Sequence, residues 1–204
     1  MKRRDFLAGA GAVSGTLLLQ AAAARPAWAQ AFRNDVDVLN YALVLEYFLS
    51  QFYRESRLVL TGQDADYIAA IGDDEDAHIA AITATIQSLG GQPAAAPAID
   101  YGKALDSRTN LLRFALRFEN LFAGAYLGAA GAIQNKDILQ AAAGIFGTEE
   151  RHAAIVANLL GLPAQGGVFI GAASVPVNRA AVEKEVNPFL RGAETMAGAA
   201  AVTR

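Results

Sequence analysis

Glu75-Asp76-Ala77-His78 and Glu149-Glu150-Arg151-His152 decide how this chain reads. The sequence holds only two histidines, and each follows a glutamate by three positions. On a helix, residues three apart share a face, so the carboxylate and imidazole of each pair can reach one ion. Glu150 lies about 100° round the helix from Glu149 and reads as a surface residue. Two further glutamates stand in apolar surroundings. Glu46 is the only charged residue between Leu39 and Tyr53, and Glu119 sits within Phe118-Glu119-Asn120-Leu121-Phe122. An unpaired carboxylate is costly to bury. Each of these two therefore binds a metal, pairs with a nearby arginine or points to solvent.

Outward from these residues the chain divides into four long helical segments, at 35–60, 64–89, 107–133 and 137–160. Leu39, Leu43, Glu46, Ser50 and Tyr53 step along one face of the first. Thr61-Gly62, Gly90-Gly91 and Gly161 with Pro163 supply stop signals. The first and third links are short, which makes each flanking pair antiparallel neighbours. The middle link, 92–106, carries Pro93 and Pro97 and can reach about 50 Å when extended. This is an all-α architecture: a four-helix bundle with one long crossover between helices 2 and 3. A Gly-rich excursion over 164–177 and a short helix over 180–190 form a C-terminal extension. The halves echo each other, because each lone glutamate is followed seven residues later by a tyrosine, Tyr53 or Tyr126.

Composition narrows the chemistry. Hydrophobic residues make up 53% of the 204, enough for a sizeable core, and there is no cysteine. Disulfides, thiolate nucleophiles and Cys-ligated zinc or iron are excluded. A net charge of −3 without a basic run beyond the N-terminus argues against nucleic acid as a partner. The first 29 residues read as an export signal. Lys2-Arg3-Arg4 precedes an uncharged stretch over 6–24, and Ala27-Trp28-Ala29 offers a cleavage site. Arg3-Arg4-Asp5-Phe6-Leu7 resembles a twin-arginine signal. Cleavage after Ala29 removes Lys2, Arg3, Arg4, Arg25 and Asp5, a net of +3, and takes the chain from −3 to −6. The expected location is the periplasm, without stable membrane insertion; an uncleaved membrane anchor is the alternative. The domain reading is signal 1–29, bundle 30–162 and extension 163–204.

Four inward carboxylates repel one another in a dry core, and two divalent ions cancel their charge. Oxygen ligands with imidazole suit iron or manganese. The pattern resembles the ferritin-like superfamily of dinuclear carboxylate proteins over residues 35–160. That resemblance implies two iron ions, or alternatively two manganese ions. Glu46 and His78 would hold one and Glu119 and His152 the other, with Glu75 and Glu149 bridging. It also gives Tyr53 a role, as hydrogen-bond donor to Glu149 or as electron source; the alternative is a core aromatic with a satisfied hydroxyl. Tyr126 and Tyr47 are weaker candidates. The end of the extension, Val182-x-x-x-Val186-x-Pro188-Phe189, looks like the subgroup that includes desiccation-related ferritin-like proteins. Lacking cysteine, the chain has no rubredoxin module of the rubrerythrin type. Its one methionine past the signal, Met196, gives no counterpart to the haem ligand of bacterioferritin. The expected function is an oxidoreductase acting on O2 or H2O2 with an unidentified electron donor; the oligomeric state is left open, with a homodimer among the alternatives. The alternative is a non-enzymatic metal-binding or stress-protection bundle.

Overall fold

Short polar residues start the helices. Asn34 caps α1 (Asp35–Ser56) by accepting from the Asp37 amide at 2.9 Å. Ser107 caps α3 (Arg108–Ala129) through the Asn110 amide, and Asn135 caps α4 (Lys136–Leu159) through the Asp137 amide. Each oxygen satisfies a donor that the first turn leaves free. Glycine ends two of them. Gly90 (φ 73°) closes α2 (Gly62–Ser88) and Gly161 (φ 70°) closes α4. The next amides, of Gly91 and Leu162, bond back to Ile86 and Ala157. The left-handed conformation these turns require costs glycine nothing.

The computed structural model describes residues 31–191, so the signal read over 1–29 lies outside the described residues. Among them the architecture is the all-helical bundle expected from the sequence, with α5 (Arg179–Val186) in the C-terminal extension. α1 stops at Ser56, four residues before the sequence suggests, because i→i+3 bonds from Leu58 to Glu55 and from Val59 to Ser56 tighten its exit. α3 likewise gives way to a 3-10 turn at Ala130–Ala132. No helix among the described residues is long and apolar enough to cross a membrane.

Contacts between helices give their directions. Asp76 accepts from Ser50 and Arg57 reaches the Ala69 carbonyl, so α1 and α2 run antiparallel. Phe52 stacks on Phe114 at 4.6 Å, Phe48 meets Phe118 at 4.8 Å, and Asp35 accepts from the Gln134 amide. α1 and α3 are therefore antiparallel too, which is what the long crossover permits. Asn40, buried in α1, pins the start of that crossover by bonding Gln92 and Ala94. Its end is clasped by the extension: Ile99 bridges Leu190, and Arg191 pairs with Asp100 at 2.7 Å.

The extension lies on α3. Val177 donates its amide to the Gly124 carbonyl at 2.8 Å. A Cβ on Gly128 would stand 2.1 Å from the Val177 carbonyl oxygen. Only glycine lets the two backbones come this close. Glu150 helps to hold the loop by accepting from Ser174 at 2.7 Å, so it is half-buried rather than a free surface residue.

Candidate metal centre

The four long helices bring Glu46, Glu75, His78, Glu119, Glu149 and His152 to one place in the bundle centre. Five are buried, and His78 is only slightly exposed. They form two overlapping groups, Glu46-Glu75-His78-Glu149 and Glu75-Glu119-Glu149-His152, each with its donor atoms within 4.8 Å of one another. Glu75 and Glu149 belong to both. Both histidines present Nδ1 to the cluster. His78 Nδ1 lies 3.1 Å from Glu46, 3.3 Å from Glu75 and 3.3 Å from Glu149. His152 Nδ1 lies 3.0 Å from Glu75 and 3.6 Å from Glu119 without a hydrogen bond to either. Its Nε2 is 3.1 Å from Asp74 Oδ2. An Nε2–H donated to that carboxylate leaves Nδ1 as a lone pair aimed inward.

The donor set can be tested against a metal pair from its own hydrogen bonding. Glu75 Oε1, Glu119 Oε2, both oxygens of Glu149 and Nδ1 of His152 are buried without a hydrogen-bond partner. A buried polar atom left unpaired costs about 1–3 kcal/mol. Five such atoms converging on one spot would be a large uncompensated loss. They fit a divalent pair, which supplies one partner to all of them and offsets four carboxylate charges.

Without metal, protons do part of that work. Burial and the neighbouring Glu149 carboxylate push Glu75 up to about 8. Burial, with the Glu119 and Glu46 charges, holds Glu149 well above the carboxylate range, and burial also raises Glu119. Burial works to lower the imidazoles, but the surrounding carboxylates prevail and raise His78 to about 12 and His152 to about 11. At neutral pH the metal-free cluster therefore holds protons that an ion must displace. The expected result is that ion binding near pH 7 releases at least two protons per chain, one from each imidazole. Apparent affinity should rise with pH, less steeply above about 8, where Glu75 gives up its proton unaided. Calorimetric titration in buffers of different ionisation enthalpy measures this; an affinity independent of pH would contradict the assignment.

Two tyrosines close the cluster. Tyr53, fully buried on α1, donates to Glu119 rather than to Glu149. Tyr126 on α3 donates to Glu46 in the reciprocal arrangement. Because α1 and α3 are antiparallel, a seven-residue step leads in opposite directions, and the tyrosines cap opposite ends of the site. Burial and the adjoining carboxylates raise both hydroxyls well above 10, so they stay protonated. Tyr126 thus stands on equal footing with Tyr53, a parity already signalled by the repeated spacing. Tyr47 is half-buried and makes no hydrogen bond to the cluster. Asp74, the partner of His152, was not singled out from the sequence, because the two meet only across the folded bundle.

A bundle of four helices with two carboxylate–histidine groups sharing two glutamates defines the class of ferritin-like helical proteins. The chain belongs to the ferritin-like domain family, whose model matches residues 34–162. Among solved structures it is similar to a conserved hypothetical protein from Mycobacterium tuberculosis. The TM-score is 0.57 at 17% identity, over 63% of this chain and 99% of the other. At that identity the likeness shows the fold alone. No curated protein matches the chain.

Proposed function

We propose that this chain is a dinuclear iron or manganese oxidoreductase reacting with O2 or H2O2, exported to the periplasm by its twin-arginine segment. The observation that carries the reading is the convergence of partnerless buried donor atoms on two overlapping sets that share Glu75 and Glu149. Glu46 and His78 would hold one ion, Glu119 and His152 the other, and Glu75 and Glu149 both. The ion pair would supply the redox chemistry: one electron from each ion, with two protons, reduces O2 to H2O2 or H2O2 to two waters.

The chain's own side chains do the rest. Asp74 orients His152, the two tyrosines hold Glu119 and Glu46 in place, and the surrounding apolar residues exclude bulk water. Tyr53, which donates a hydrogen bond to Glu119, would be the candidate to supply an electron on that side. Oxygen donors with imidazole favour iron or manganese, whereas affinity alone would favour copper or zinc. Folding before export would let the protein take its metal from the cytoplasm.

The test is elemental analysis of the mature protein purified from its own periplasm. About two iron or manganese ions per chain are expected, followed by oxidation of the reduced protein by O2 or H2O2. A single zinc, or less than about half an ion per chain, would defeat the reading.

A further inference from the structure

The two ends of the site differ in their packing. At the Tyr126 end lies an apolar cavity of about 60 Å³, separated from the cluster by Tyr126, the hydrogen-bond partner of Glu46. Ala42, Ile82 and Ile145 wall it, each one helical turn from Glu46, His78 and Glu149 respectively, and Tyr126 itself lines it. Ala81 and Ala141, both exposed, form its mouth between α2 and α4.

The cavity arises where the halves of the chain break their echo. With Glu46 laid on Glu119 and His78 on His152, Ala81 falls on Ile155, Thr85 on Leu159 and Ala125 on Phe52. Ala141 and Ala142 fall on Tyr67 and Ile68. At the Tyr53 end the larger members of these pairs include Phe52 and Ile68, both fully buried. The donor sets on either side are the same in kind, so the ligands do not demand the smaller residues.

Size and polarity limit what the space can hold. An apolar cavity of about 150 Å³ stays dry and admits benzene or xenon. One of about 60 Å³ is too small for an aromatic ring and large enough for a two-atom gas or a xenon atom. A polar guest finds few partners. Tyr126 is committed to Glu46 and Thr85 donates to the Ala81 carbonyl at 2.8 Å, which leaves the buried, partnerless hydroxyl of Tyr41, another lining residue, as the one uncommitted side-chain polar group. Water and hydrogen peroxide both need several hydrogen bonds.

We infer that this cavity is the entry and holding site for dioxygen, and that O2 rather than peroxide is the oxidant the centre is built to receive. The inference rests on the oxidoreductase reading. Its experiment has one readout that needs neither metal nor turnover: xenon binding to the metal-free protein, by crystallography under pressure or by 129Xe NMR. Xenon is expected in the cavity of the wild type and absent from Ala142→Leu and Ala42→Leu, which fill it. Ala81→Phe, at the exposed mouth, serves if a core variant does not fold. In the iron-loaded protein, the ratio of the oxidation rate with O2 to that with H2O2 should fall at least about tenfold in the filled variants. Lack of xenon in the wild type, or a ratio unchanged within about twofold, overturns the inference. Oxidation by peroxide alone also overturns it and leaves the oxidoreductase reading standing. Oxidation by neither oxidant overturns both.

Discussion

Glu75→Ala is expected to reduce bound metal from about two ions per chain to below about half an ion, whereas Glu46→Ala should leave about one. The difference follows from membership of the two donor groups. Glu75 belongs to both, while Glu46 belongs only to the group with His78. With an ion in each group, removing Glu75 would take an oxygen from both and leave four positive charges facing three carboxylates. An uncompensated buried charge costs several kcal/mol, and 1.4 kcal/mol is already about tenfold in affinity. Glu46→Ala impairs one ion and frees the Tyr126 hydroxyl, but the other group keeps its set. Glu75→Gln, of nearly the same shape, should behave like Glu75→Ala if charge and ligation matter, and like wild type if Glu75 only fills space. Metal-to-protein ratios after dialysis measure all three. Two ions retained by Glu75→Ala would remove the shared-ligand geometry and the function proposed on it.

The six side chains that meet at the bundle centre stand out in the sequence because their signals are local or repeated. Glu75 and His78 lie on one helical turn, as do Glu149 and His152, and Glu46 and Glu119 stand out as lone charges in apolar faces. What the structure added depends on meetings across the bundle. His152 reaches Asp74 over 78 positions of sequence. Tyr53 finds Glu119 rather than Glu149 because α1 and α3 pass each other antiparallel, which sets the side chain that lies opposite. Helix ends were less legible than helix faces: α1 ends at Ser56 through backbone bonds that no residue type announces. The cavity was hidden for a similar reason. An alanine at position 142 reads as an ordinary helix former until it is set against Ile68, its counterpart at the opposite end. The docking of the extension on α3 was likewise invisible, since Gly124 and Gly128 look like helix-weakening residues.

Gly128→Ala is expected to destabilise the protein by about 2–4 kcal/mol, although alanine is the better helix former by about 1 kcal/mol. The added methyl would stand 2.1 Å from the Val177 carbonyl oxygen and 2.9 Å from its carbon. Both are backbone atoms that cannot swing aside as a side chain can. Residues 175–177 must lift from the helix, and the bond from the Val177 amide to the Gly124 carbonyl goes with them. Gly144→Ala is the control. Nothing lies within 4 Å of a Cβ there, so helix propensity alone should act and stabilise by roughly 0.5–1 kcal/mol. Denaturant unfolding gives both values, and hydrogen exchange at Val177 should quicken only in Gly128→Ala. Equal shifts in the two variants would mean that the extension does not dock on this groove. The groove also bears on the site. Tyr126 lies midway between the two glycines and points from the opposite face of α3, where it donates to Glu46. The extension therefore braces the back of the helix that presents Tyr126. Lifting it frees α3 to shift at the end of the centre where the cavity opens.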